Sequence, residues 1–180
     1  MGWTTVLWVT VGFSLCFSGG AGGIIGDLDK AFLHGITLDT ASPNDTIPMI
    51  VFVAYQMMFA IITPALITGA FANRVTFKAY VLFLTAWLLF VYFPFVHVVW
   101  GGGLLAVHGV LDFAGGIVVH AIAGMAALAS VVYVGRRRSS DSGAHSIPLV
   151  ALGTGLLWFG WYGFNAGSSS GWIRSPRSPS

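Results

Sequence analysis

Five uninterrupted apolar stretches constrain this chain more than any other feature. They run over residues 3–25, 47–73, 79–100, 117–135 and 147–167, each free of Asp, Glu, Lys and Arg. A helix rises 1.5 Å per residue, so about 20 apolar residues cross the roughly 30 Å hydrocarbon core of a bilayer. Within that core every backbone N–H and C=O must be satisfied inside the segment, which a helix achieves and irregular chain does not. The pattern predicts an all-α polytopic membrane protein with five transmembrane helices. Composition excludes the soluble alternative, since only 8% of residues are charged and 56% are hydrophobic, against roughly 25% charged in an ordinary soluble domain. A net charge of +2, dispersed along the chain, makes no footprint for a nucleic-acid partner. The single cysteine, Cys16, forms no internal disulfide and sits in an apolar run, where a thiol behaves as a small hydrophobe. The first run lacks a basic leader, and its SGGAGG end is a poor cleavage site, which argues against a signal peptide.

The loops assign an orientation. Asp27, Asp29, Asp39 and Asp45 outnumber Lys30 in the first loop, the second holds Arg74 and Lys78, the third only Asp112, and the fourth Arg136, Arg137 and Arg138 beside Asp141. Lys and Arg collect on the cytoplasmic side, so the second and fourth loops read as cytoplasmic and the first helix runs outward. Arg174 and Arg177 near the C-terminus fall on the opposite side. Gly115 and Gly116 opening the fourth run, Gly124 within it and the five glycines of the last, Gly153 to Gly167, are small residues that let membrane helices approach closely. Pro64 and Pro94 lie inside spans and should disturb the backbone ladder. Asn44-Asp45-Thr46 is a formal glycosylation triplet in an outward loop, a pattern that often arises by chance.

Ionisable groups at membrane depth are expensive, which makes His97, His108, Asp112 and His120 the leads. His120 lies deepest in an apolar run; as packing it is a satisfied imidazole, and as a site its neutral ring both donates and accepts, which suits a proton relay. Asp112, ahead of Phe113-Ala114-Gly115-Gly116, reads first as a helix N-cap and second as a fixed negative charge at an outward mouth. Trp100 ends the third run; it belongs to the interfacial aromatic belt, and beside Gly101-Gly102-Gly103 its ring face also offers a cation–π site. Tyr55 and Phe59, spaced i, i+4 with Gln56 beside them, share a helix face as packing or as a pore constriction.

The stretches VWGGGLLAVHGVLDFAGGIVVHAIAG (99–124), FAIITPALITGAFANRVTF (59–77) and WFGWYGFNAGS (158–168) together resemble the ammonium transporter family (Amt/Mep/Rh), and its Amt branch in particular. The resemblance implies about eleven helices in two inverted five-helix repeats, with a hydrophobic pore through each subunit of a trimer. It makes the five runs about one half of that fold. Carried over by position, Trp100 is the vestibule tryptophan, with Tyr55 beside it and Asp112 supporting it. Phe59 is one of the pore-gate phenylalanines, and His120 the first pore histidine, a proton relay. The implied activity is recruitment of NH4+ outside and passage of NH3 plus a relayed proton, with methylammonium as an analogue and no enzymatic step. Other implied properties are an integral multi-pass protein of the plasma membrane, a homotrimer when complete, a P-II signalling protein as partner of the full-length form, and neither cofactor nor metal.

Three departures accompany the match. Tyr55 stands where many relatives have phenylalanine, Asn73 replaces an acidic residue, and the expected extent is a partial transporter domain over residues 1–167 followed by a Ser, Pro and Arg-rich tail at 168–180. The first family helix and everything after the fifth, including the second pore histidine, are expected to lie outside this chain, which reads as N- and C-terminally truncated. Competing readings are a non-conducting fragment, sensor or regulatory membrane subunit of the same fold, an Rh-type ammonia gas channel, and an intramembrane metalloenzyme using His97, His108, Asp112 and His120 as ligands.

Overall fold

The computed structural model of the protein describes residues 1–43, 47–136 and 146–168. The glycosylation triplet, Arg137, Arg138 and Asp141, and the tail beyond Ser168 lie outside the described residues. The chain forms two compact units, Met1–Gly135 and Arg136–Ser180.

The first unit contains α1 (Gly2–Phe17), α2 (Met49–Ala70), α3 (Phe77–Trp87, Leu88–Tyr92 and Phe93–Trp100 in succession), the short α4 (Leu104–Val107) and α5 (Gly116–Val134). In the second, α6 spans Ile147–Ser168. Helices are the only regular elements among the described residues, apart from an isolated bridge between Ala41 and Pro48. α2, α3, α5 and α6 are long and apolar enough to cross a membrane, and α1 is apolar but shorter.

α1 ends at Phe17, well before the apolar run does. Glycine is a poor helix former, and Ser18 turns extended at the head of SGGAGG. The chain then folds back so that each carbonyl of the last turn meets a donor. Gly26 N–H reaches Leu15 O at 2.8 Å, His97 Nδ1 reaches Cys16 O at 3.1 Å, and Lys30 Nζ reaches Phe17 O at 2.9 Å. These carbonyls have no partner within the helix, and a cation there also opposes the negative end of the helix dipole.

Three helices carry a π turn: Trp8–Gly12 in α1, Leu88–Tyr92 in α3 and Gly116–Ala121 at the start of α5. The turn in α3 immediately precedes Pro94, whose ring would clash with the carbonyl four residues back in a regular helix. α2 continues through Pro64, and Thr63 Oγ1 donates to Phe59 O at 2.6 Å beside it.

The core lies between the second halves of α1 and α3, with α2 laid against α5. Trp8, Phe13, Leu88, Tyr92, Phe93 and Val96 are fully buried. The helices approach where Gly12 faces the Phe93 ring; a Cβ at Gly12 would stand 2.5 Å from Phe93 Cζ. At the opposite end of the bundle from Trp100, Arg74 donates to Ala70 O and Gly135 O and so ties the ends of α2 and α5. Large apolar side chains such as Phe77, Leu82 and Phe90 point outward, the surface expected where hydrocarbon is the solvent.

Candidate functional site

The site is assembled where α3 stops and α5 starts. α3 reaches Trp100 and then meets three glycines. Gly101 N–H bonds to Val96 O and His97 O, Gly102 takes a left-handed φ of 81°, and Gly103 N–H returns to His97 O at 3.0 Å. The turn leaves the Trp100 indole beside the segment that opens α5, and its Nε1–H donates to Asp112 O at 2.8 Å.

Asp112 anchors that segment with its side chain. Oδ1 accepts from Gly115 N (2.9 Å) and Gly116 N (2.7 Å), and Oδ2 accepts from Ile117 N and Val118 N, both at 2.9 Å. A helix start leaves four N–H groups without intrahelical partners, and one carboxylate answers four here, with its charge favoured by the positive end of the dipole. Gly115 is required between them, because its φ is 89° and a Cβ would stand 2.7 Å from Val119 Cγ2.

Trp100 meets Phe59 edge to face, with ring centroids 5.4 Å apart and planes at 84°. Phe59 in turn meets Tyr55 at 5.1 Å and 69°. Phe59 is 2% exposed, whereas Tyr55 and Trp100 are half-buried, so a closed ring stands between two more accessible ones. The i, i+4 spacing on α2 therefore continues across to α3, a step invisible in the spacing itself.

His120 lies on the π turn of α5, with its N–H on Gly115 O at 3.0 Å. It is exposed on the surface of this unit, as are Gly116 and Gly124 four residues to either side. Such π turns inside helices frequently mark functional positions.

The remaining leads part company. His97 is buried and bonded to Cys16 O, while His108 is exposed, with Nδ1 2.7 Å from Leu104 O. Among the described residues no three His, Cys, Asp or Glu side chains gather as metal ligands, so His97, His108, Asp112 and His120 do not form the set a metalloenzyme would need. In the loop after α1, hydrogen bonds from Ser18 and from the Asp29 N–H (3.1 Å) hold the Asp27 carboxyl below its ordinary range. Sequence reasoning missed the Asp112 carbonyl as the acceptor for Trp100 and the His97–Cys16 contact; both use main-chain oxygen, which has no residue signature.

Apolar helices of membrane length, an outward apolar surface and Asp, Lys and Arg kept to loops and helix ends among the described residues define an integral, multi-pass α-helical membrane protein. The model of the Ammonium Transporter Family matches residues 1–175. The chain belongs to that family, one of transporters and not of enzymes. It is similar to ammonium transporter 1 of Dictyostelium discoideum, 49% identical over an alignment of 172 positions that covers 92% of this chain and 37% of the relative. It is also similar to the ammonium transporter Amt1 of Archaeoglobus fulgidus, 45% identical over 92% of this chain and 41% of the relative. Among solved structures it resembles Candida albicans Mep2, with a TM-score of 0.84, 38% identity and coverage of 94% of this chain and 39% of that one. A structure described as a sensor Amt protein matches with a TM-score of 0.80, 34% identity and coverage of 93% and 44%. The chain thus spans about two fifths of the length of these relatives.

Proposed function

We propose that this chain supplies one half of a pathway that carries ammonium across a membrane. The observation that carries the reading is the Tyr55–Phe59–Trp100 series of edge-to-face rings at the start of the helix that bears His120. The accessible ring faces of Trp100 and Tyr55 attract NH4+ by cation–π interaction, worth about 0.5–2 kcal/mol depending on desolvation. Phe59, the closed ring, gates the path: a bare cation is penalised in an apolar constriction and neutral NH3 is not. His120 relays the proton, since a neutral imidazole accepts at one nitrogen and donates at the other. Asp112 acts through Trp100, because its oxygens are engaged by backbone donors and its carbonyl holds the indole.

The other half of the pathway is contributed by a second polypeptide segment covering the exposed face of Gly116, His120 and Gly124. In that complete form the assembly is a homotrimer in the plasma membrane, and its cytoplasmic face is the docking side for a P-II signalling protein. Residues 1–167 form the partial transporter domain in this reading. A sensor role draws support from the similarity to the sensor Amt protein and differs in one measurable respect: it binds ammonium without flux.

Radiolabelled methylammonium uptake into proteoliposomes tests the proposal, with the 180-residue chain alone, the chain with a polypeptide carrying the remaining family helices, and His120→Ala in both. Uptake is expected only in the paired form and is abolished by the substitution. Uptake by the chain alone that disappears in His120→Ala overturns the requirement for a second half. Binding without uptake in the paired form favours the sensor.

A further inference from the structure

His97 takes no part in the pathway described above, yet it is 3% exposed in the apolar interior. An imidazole there must satisfy its polar atoms locally. Its Nδ1 lies 3.1 Å from Cys16 O; a carbonyl only accepts, so the contact fixes the tautomer with the proton on Nδ1. Cys16 O belongs to the last turn of α1 and therefore has no donor within its own helix.

The same oxygen packs against the glycine turn that ends α3. A Cβ at Gly101 would stand 2.1 Å from Cys16 O and 2.9 Å from His97 Nδ1. The His97 carbonyl accepts from both Gly101 N and Gly103 N at 3.0 Å, so one residue holds the turn with its main chain and holds α1 with its ring. Trp100 lies one turn beyond His97 on α3, and Asp112 O fixes only the far end of its indole.

We propose that His97 is a positioning residue for the aromatic site, its Nδ1–H bond to Cys16 O setting the Gly101–Gly103 turn and with it the placement of Trp100 against Phe59. The role of Trp100 as the ammonium-recruiting ring is taken from the reading above, whereas the placement itself is tested without ligand.

The experiment uses the full chain carrying 5-fluorotryptophan, with the Trp100 fluorine resonance assigned by Trp100→Phe and that of Trp8 by Trp8→Phe. His97→Asn keeps a donor on Cγ, as Nδ1 is in histidine; His97→Gln moves it one bond further out, and His97→Phe removes it while keeping a ring. The Trp100 resonance is expected at its original position in His97→Asn and displaced in His97→Gln and His97→Phe, with Trp8 unmoved in all three. If His97→Phe does not fold, the Asn and Gln pair decides. Equal displacement in Asn and Gln, no displacement in either, or movement of Trp8 together with Trp100 overturns the proposal. Methylammonium is then titrated: the Trp100 resonance of the parent chain should respond, with binding about tenfold weaker in His97→Gln and restored in His97→Asn. A parent chain without a methylammonium response removes the ammonium reading and leaves the ligand-free spectra to judge His97.

Discussion

The indole Nε1–H of Trp100 bonds to the main-chain carbonyl of Asp112 at 2.8 Å, while the Asp112 side chain caps the first N–H groups of α5. A single residue thus couples the end of one membrane helix to the start of the next, through its backbone on one side and its carboxylate on the other. The aromatic ring is held by a group that substitution of its own side chain does not directly remove, so stability and ring placement can be separated by experiment.

Asp112→Ala should lower stability by about 2–3 kcal/mol, above the usual loss of a helix cap because the acceptor is charged and serves four donors. Asp112→Asn retains one acceptor oxygen and should fall between the two. Thermal unfolding in detergent, followed by helical circular dichroism, gives the order. Equal stability of Asp112→Ala and the parent chain would show that water replaces the cap at no loss.

Trp100→Phe removes the Nε1–H but keeps a ring against Phe59, and Trp100→Leu removes both. The hydrogen bond contributes about 1 kcal/mol and an aromatic pair about 0.5–1.5 kcal/mol beyond its burial. Methylammonium affinity, read by calorimetry, should therefore fall severalfold in Trp100→Phe and by more than tenfold in Trp100→Leu, where the cation–π face is also lost. Identical affinities would place recruitment elsewhere than at this ring.

Much of this architecture is legible in the sequence because span length is a property of consecutive residues. The runs over 47–73, 79–100, 117–135 and 147–167 compare with helices at Met49–Ala70, Phe77–Trp100, Gly116–Val134 and Ile147–Ser168. The run over 3–25 overshoots because glycine carries no charge and so extends the run without favouring a helix; at Ser18 the chain exchanges helix for a web of backbone contacts. Capping of α5 by the Asp112 carboxylate was legible from its place before Gly115-Gly116, although Gly115 and not Asp112 occupies the N-cap position. The Trp100–Phe59 contact was not, since it depends on how α2 crosses α3, and no periodicity within either helix encodes the crossing.

Asp27 should impart a pH dependence to the loop that closes α1. Its carboxyl lies below the ordinary value of 3.8, chiefly through the hydrogen bond from Ser18 and then through the Asp29 N–H. A depressed carboxylate stabilises the fold fully above its unfolded value, and the contribution fades as pH falls below 3.8 through the lower folded value. Asp27→Asn should flatten the stability profile in that acid window and leave the curve at neutral pH with the same slope. A mutant profile parallel to the parent's throughout would assign the acid sensitivity to other carboxylates.

Gly101 and Gly124 make opposite predictions from the same residue type. At Gly101 a Cβ would lie 2.1 Å from the Cys16 carbonyl and 2.8 Å from His97 Cα, both main-chain atoms that cannot rotate away. Gly101→Ala must therefore push α1 and α3 apart at the glycine turn, and overpacking of that kind typically destabilises by about 1–3 kcal/mol. Gly124 has nothing within 4 Å of its built Cβ and sits inside α5, where alanine is favoured over glycine by about 0.8–1.0 kcal/mol. Gly124→Ala should leave the isolated chain as stable as the parent or more so. The same substitution lies four residues from His120 on the face assigned to the second half, so any loss of methylammonium uptake should emerge only in the paired form. Unfolding curves of both variants, set beside paired and unpaired uptake, separate a helix packed within this unit from a face that awaits a partner. A destabilised Gly124→Ala chain would show that face to be already covered.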